Sequence, residues 1–277
     1  MLKNIVYIPI DSLDDYEAQP FKVTDDEKMQ ELADSIKELG VLTPITVRPR
    51  PDGRYEIISG HRRKRACELI GLEEIPAIIT ELDDDEAAIM LVDSNLQREN
   101  ILPSERAYAY KLKLEALKHQ GKKNSTFGHF VRKSETTDEI GLDSGKSGRQ
   151  IRRYIRLTNL IYQILDKVDE GIIPVTAGAE ISFLDVRTQV MLNDVLDYEC
   201  CSLSLMQAVK IKEHFLVGDI SQQTILEIVE EKENKNEGRI ALKYDKLKKY
   251  FPESYSAKEC EEALWKILDE WFENDNT

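Results

Sequence analysis

The chain is short of cysteine, aromatic residues and positive charge, and it has no long hydrophobic run. Four cysteines among 277 residues, Cys67, Cys200, Cys201 and Cys260, form no CxxC pair and have no histidine at ligand spacing. That excludes a zinc-finger pattern and a disulfide framework, and leaves reduced, mostly structural thiols as the expectation. No stretch approaches the roughly 18 apolar residues a membrane span needs. Met1 is followed by Leu-Lys-Asn-Ile rather than by an apolar leader core, so no membrane association and a cytoplasmic location are expected. With only 7% aromatic residues, helices with aliphatic cores are the first expectation. Lysine and arginine number 38 against 52 acids, a net charge of −14, and such a sum by itself argues against nucleic acid as a partner. What is present, 41% hydrophobic and 32% charged residues with 13 Gly and 9 Pro, is the composition of a folded protein of two or three domains.

Along the chain, Ile5–Pro9 reads as a β-branched strand. Asp25-Asp26-Glu27 opens an amphipathic helix that stops at Leu39-Gly40, acids at its start and glycine at its end. Ile45–Pro49 and Tyr55–Ser59 flank Pro51-Asp-Gly-Arg54, a hairpin pattern. A helix over His61–Ile70, a strand over Ile75–Thr80 and helices over Asp83–Asn95 and Pro103–His119 complete an α+β unit over residues 1–120. The acids Asp83–Glu86 suit a helix start better than a metal site. Residues 120–148 are polar and glycine-bearing, the pattern of a hinge or loop. Six short helices are predicted beyond it, giving an all-α unit over 121–234. A charged linker near 230–238 leads to a small helical C-terminal segment, 239–277, in which Trp265 and Trp271 share an apolar face with Leu264 and Leu268.

Two polar clusters carry candidate chemistry. Ser59-Gly-His-Arg-Arg-Lys-Arg-Ala66 puts Gly60 at a strand-to-helix junction and Arg62, Arg63 and Arg65 in the first turns of the helix. Cations there oppose the helix dipole unless an anion joins them, so a phosphate site is one reading and a solvated basic face the other. Asp93-Ser-Asn-Leu-Gln-Arg-Glu-Asn100 closes a helix with Asn95, Gln97 and Arg98. These side chains suit phosphate oxygens or a metal's water shell, and equally suit helix caps.

A third segment, Glu139–Leu157, reads as a short helix, a glycine-rich turn and a second helix, which is a helix-turn-helix pattern. Lys146, Ser147 and Gln150 stand at the start of the second helix, with Ser147 as its N-cap. Arg149, Arg152, Arg153 and Arg156 follow at spacings of three and four on one broad face, with Ile151, Ile155 and Leu157 turned inward. Between Gly121 and Leu160 nine basic residues face four acids, so the acidic chain carries a locally basic head.

Gly40-Val-Leu-Thr-Pro-Ile-Thr-Val-Arg48, Ile58–Ala66 and Asn95–Glu105 occur in an order and spacing that resemble the ParB family of chromosome and plasmid partition proteins. The resemblance runs from about residue 5 to 216. It implies an α+β N-terminal ParB/sulfiredoxin-like domain, an all-α helix-turn-helix domain and a small helical C-terminal segment. It also implies CTP with Mg²⁺ as cofactors: Gly40, Thr43, Pro44 and Ile45 would border the base. Gly60, His61, Arg62, Arg63 and Arg65, with Ser94, Asn95, Gln97 and Arg98, would hold the phosphates, and Asn95 would be the metal ligand. Lys146, Ser147, Arg149, Gln150, Arg152, Arg153 and Arg156, with Thr176 in the following segment, would meet DNA.

Two positions depart from the family pattern, which has glutamate where His61 and Ser94 stand. The second glutamate is linked to hydrolysis, and serine is a poor base. Nucleotide binding with weak or absent turnover is therefore expected, unless Asp93 or Glu99 substitutes. The resemblance further implies a homodimer on an inverted-repeat site in double-stranded DNA, a ParA-type ATPase partner and a nucleoid-associated location. An alternative is a transcriptional regulator whose nucleotide pocket has degenerated. A sulfiredoxin activity would need a cysteine beside Gly60, where Ser59 and His61 stand instead.

Overall fold

The computed structural model describes residues 4–98, 100–124, 137–141, 145–199, 201–218, 220–231, 250–251 and 263–266, the side chains of 121–124 and Glu199 excepted. Residues 1–230 form one compact unit and 231–277 a second. Of the second unit the described residues include a helical turn over 263–266, where Trp265 is 60% exposed. Leu268, Trp271 and the linker expected near 230–238 lie largely outside the described residues.

The first half of the larger unit is built on five strands, β1 (Ile5–Pro9), β2 (Leu13–Asp15), β3 (Ile45–Pro49), β4 (Tyr55–Ser59) and β5 (Glu74–Ile79). Their order across the sheet is β1-β5-β3-β4-β2. The β3–β4 hairpin and the β1–β5 pair are antiparallel, whereas β3–β5 and β2–β4 are parallel. The predicted hairpin turn closes with Arg50 N donating to the Arg54 carbonyl at 2.8 Å. Strand β2 was not expected, and neither was the 3₁₀ turn Ile10–Ser12 before it. β2 has one buried apolar residue, Leu13, and depends on a partner 42 residues away, so local pattern could not show it. The bidentate Arg54–Asp14 ion pair, 2.7 and 2.8 Å, ties it to the hairpin.

Helices α1 (Glu27–Leu39) and α2 (His61–Leu69) cover one sheet face. Met29, Ala33 and Ile36 from α1 and Ala66 and Cys67 from α2 pack there on Ile8, Ile45, Val47, Ile57, Ile75 and Ala77. A fully buried aliphatic side chain of this kind contributes about 1.5–3 kcal/mol. α1 starts where the acids predicted it, with Asp26 Oδ1 accepting Met29 N–H at 2.8 Å, and stops at Gly40. On the opposite face, α3 (Asp84–Leu96) and α4 (Pro103–Asn124) bring Ala87, Leu91, Val92 and Ala109 against Ile58 and Phe21. Asp83 and Glu86 form a reciprocal capping box at the start of α3, as their position suggested.

The second half is helical: residues 137–141, then α5 (Gly148–Leu157), α6 (Tyr162–Asp169), α7 (Val175–Ile181), α8 (Val186–Glu199), α9 (Leu205–Val217) and α10 (Gln222–Glu230). α4 links the halves, because Ala109 belongs to the sheet-side core, Ala107 to the helical core and Tyr110 and Leu114 to a third cluster with Ile140 and Ile151. Among the described residues no helix is long and apolar enough to cross a membrane.

Candidate functional site

The turn from β4 into α2 fixes the first part of the site. Gly60 has φ +113°, and a Cβ there would lie 2.5 Å from Cγ2 of Ile45, so only glycine lets the chain turn this tightly against β3. The first amides of α2 lack acceptors within their own helix and give that end a partial positive charge. The three arginines that follow differ in their partners. Arg63 Nη1 donates to the carbonyls of Thr43 (2.5 Å) and Pro44 (2.6 Å), which joins the Gly40–Ile45 segment to α2. Arg62 reaches Asp26 at 3.5 Å, and Arg65 pairs with Asp25 (2.6 Å) and Glu68 (3.2 Å). The Arg65 guanidinium beside Asp25 holds that carboxyl below its ordinary range. Arg65 thus faces α1 in an exposed ion pair.

The second cluster lies at the end of α3. Asn95 is 2% exposed, and its Nδ2 donates to the Leu91 carbonyl (2.8 Å) and the Ser94 hydroxyl (3.2 Å). That orientation leaves its oxygen as the group able to take a cation. Gln97 caps α3 and is exposed. Arg98 makes no ion pair with any described residue and lies 5.8 Å from the Phe21 ring centroid. Burial first, and then the Arg62 and Arg63 guanidiniums against the attraction of Glu105, push its pKa down. Arg62 and Arg98 both line a cavity of about 850 Å³, with Phe21, Thr24, Asp26 and Glu105 among its other walls. Two segments some 35 residues apart therefore converge on one hollow. The contribution of Phe21–Lys28 to its wall was missed in the sequence, where Asp25 and Asp26 read only as a helix start.

His61 is 4% exposed, and its buried Nε2 has no hydrogen-bond partner among the described residues. Burial lowers its pKa from 6.5 to about 4, with Asp15 opposing and Arg98 and Lys64 reinforcing the shift, so the ring is neutral at pH 7.

The basic segment on α5 begins at the cap its sequence suggested. Ser147 and Gln150 form a capping box at its N-terminus. Close approach to the preceding helical residues requires glycine at 141, where a Cβ would lie 2.4 Å from the Lys146 carbonyl, whereas a Cβ on Gly148 would meet the Asp138 carboxylate, an exposed side chain. Arg149 is exposed and Arg153 half-buried, and neither pairs with a described acid. Arg152, also exposed, donates to Thr137 Oγ1 at 2.8 Å. Arg156 is turned toward α7: it donates to the Ser182 hydroxyl (2.9 Å) and carbonyl (3.1 Å) and stacks 3.3 Å from the Phe183 ring centroid. Thr176, second residue of α7, is half-buried, as is Lys146.

Residues 2–96 match the model of the ParB N-terminal domain. The chromosome-partitioning protein Spo0J of Thermus thermophilus is 32% identical over 214 residues, covering 77% of this chain and 72% of that protein. The chain belongs to the ParB family. A nucleoid occlusion protein of Listeria innocua is 37% identical over 183 residues, covering 61% of this ParB-family chain and 64% of the relative. Among solved structures, Caulobacter crescentus ParB complexed to the centromeric parS site aligns at 25% identity over 75% of this chain and 98% of that one, TM-score 0.46. The same protein complexed with CTP-gamma-S aligns at 28% identity over 69% and 97%, TM-score 0.33.

In this ParB-family chain the candidates for a missing carboxylate are engaged elsewhere or not described. Ser94 Oγ donates to the Leu91 carbonyl at 3.0 Å. Asp93 pairs at 2.6 Å with Lys113 of α4, and Glu99 lies outside the described residues. Among the described residues no group of three or more His, Cys, Asp or Glu could hold a metal ion.

Proposed function

We propose that this chain is a sequence-specific DNA-binding protein of the partition or nucleoid-occlusion kind that responds to CTP. The observation that carries the nucleotide half is the convergence of Arg62 and Arg98 on one cavity beside the α2 N-terminus, where burial and the Arg62 guanidinium disfavour the charged form of Arg98. A polyphosphate supplies the charge that relieves this. Gly60 lets β4 turn tightly into α2 against Ile45, and Arg63 holds the Thr43–Pro44 turn that would border the base. Asn95 suits a Mg²⁺ that neutralises the phosphates. Turnover is slow, because the Ser94 hydroxyl bonds the backbone and Asp93 is ion-paired.

The DNA half rests on Lys146, Ser147, Arg149, Gln150, Arg152 and Arg153 at and beyond the start of α5, as the second helix of a helix-turn-helix. Arg156 positions α7 and Thr176 rather than reading bases. An α-helix with an open arginine edge suits the major groove. By the family resemblance the protein works as a nucleoid-associated homodimer on an inverted repeat, with a ParA-type ATPase, in segregation of a plasmid, mobile element or chromosome.

The buried, neutral His61 favours a second reading, a DNA-bound regulator with a degenerate pocket. Selection from random duplexes gives the DNA site. Equilibrium dialysis of CTP with Mg²⁺, with and without that duplex, then separates the readings: saturable uptake supports the switch, and no uptake leaves the regulator.

A further inference from the structure

Arg98, Asn100, Ile101, Leu102 and Glu105 form one wall of the cavity, and two anchors hold that wall. The first is local: the Glu105 carboxylate accepts the N–H groups of Lys22 (2.8 Å) and Leu102 (3.0 Å). The second comes from the helical half. Ser104, 7% exposed, donates its backbone N–H (2.8 Å) and its hydroxyl (2.5 Å) to the two oxygens of Asp169.

Asp169 is the last residue of α6, where its own helix dipole disfavours a carboxylate. The N-terminus of α4 supplies the favourable field instead, and the Ser104 N–H is one of the amides there without an intrahelical acceptor. The carboxylate therefore caps a helix 65 residues away in sequence. Just beyond it Ile173, fully buried in the helical core, leads into α7 and Thr176. One side of Asp169 is the rim of the nucleotide cavity, and the other is the segment expected beside DNA.

We propose that Asp169 is a positioning residue of the nucleotide pocket, supplied by the DNA-reading half, and that DNA occupancy is felt at the pocket through its two bonds to Ser104. This rests on the CTP and DNA reading above. The carboxylate fixes the first turn of α4, and with it Glu105 and the loop that presents Arg98. A movement of α6 and α7 on DNA carries Asp169 and so changes the rim. The coupling is reciprocal, so nucleotide alters DNA affinity by the same factor.

The test uses the full chain and measures CTP affinity, with Mg²⁺, in the presence and absence of the selected duplex. In Asp169→Ala the affinity is expected to fall roughly tenfold, the scale of a lost charged hydrogen-bond pair. The factor by which duplex changes it should fall toward one. Ser104→Ala, which keeps the backbone N–H bond, should show a smaller loss, and it carries the test if Asp169→Ala does not fold. Asp169→Asn, which keeps one acceptor oxygen, should recover part of both effects. A wild-type affinity for CTP in Asp169→Ala overturns the proposal, and so does a weakened affinity that still responds to duplex by the wild-type factor. A wild-type chain whose CTP affinity ignores duplex overturns it as well. A wild-type chain that binds no CTP defeats the nucleotide reading and this proposal together.

Discussion

Replacing His61 with leucine separates what the residue does for the fold from what the site requires. The imidazole is 4% exposed with a pKa near 4, against 6.5 for the free group. A folded-state pKa depressed in this way means that the neutral ring's contribution is fully present above pH 6.5 and is lost as pH falls through 6.5 toward 4. Linkage over that interval gives a loss of about 2 kcal/mol between pH 7 and pH 5. Asp14, Asp25 and Asp26 also have lowered pKa values, set by the Arg54 hydrogen bond, the Arg65 hydrogen bond and the Met29 N–H respectively. Their contributions fade at lower pH and are common to both proteins, so the difference between the two isolates His61. Removing a buried, unpartnered Nε2 should also leave the variant at least as stable at pH 7, since an orphaned polar atom costs about 1–3 kcal/mol. Urea unfolding followed by circular dichroism at pH 7, 6 and 5 measures both quantities. Equal pH dependence in the two proteins would refute the reasoning.

Gly60→Ala should cost about 3 kcal/mol or more in the same assay, because a Cβ at φ +113° would meet β3 at Ile45; a cost under about 1 kcal/mol would show that the turn tolerates a side chain. The double substitution His61→Glu and Ser94→Glu supplies the two carboxylates of the family pattern and should raise phosphate release from CTP by roughly a hundredfold; unchanged release would place the block elsewhere. Arg149→Ala should abolish preference for the selected duplex at a cost of about 1–3 kcal/mol, whereas Lys146→Ala should weaken all duplexes alike and lower the salt slope by about one. Equal behaviour of the two variants would remove the distinction between reading and steering.

Much of the α/β half was legible locally. Asp26, Gly40, Gly60 and the Asp83–Glu86 box mark helix ends by hydrogen bonds made within three or four residues, which is the range a sequence pattern can express. The parallel pairings were not legible, since Leu13 finds Tyr55 and Ile45 finds Ala77 only after the chain has folded. That Gly60–Arg65 and Asn95–Arg98 share a site was suggested by family spacing, and of them Arg62 and Arg98 line the cavity, yet the employment of each arginine was not legible. Arg63 bonding two carbonyls, Arg65 pairing with Asp25 and Arg156 stacking on Phe183 depend on distant partners. Asp169 carried no signal at all, because an acid at a helix C-terminus looks like a surface residue until its partner Ser104 is in place.

The claim that the cavity beside α2 holds a nucleotide is tested most directly by titrating CTP and Mg²⁺ calorimetrically into the wild-type chain and into Arg98→Ala. Arg98 has no ion pair among the described residues and faces the cavity, so its removal should leave the fold intact. Saturable binding by the wild type, weakened at least roughly tenfold in the variant, is the expected result. No heat of binding in the wild type, or equal affinity in the two proteins, would contradict it.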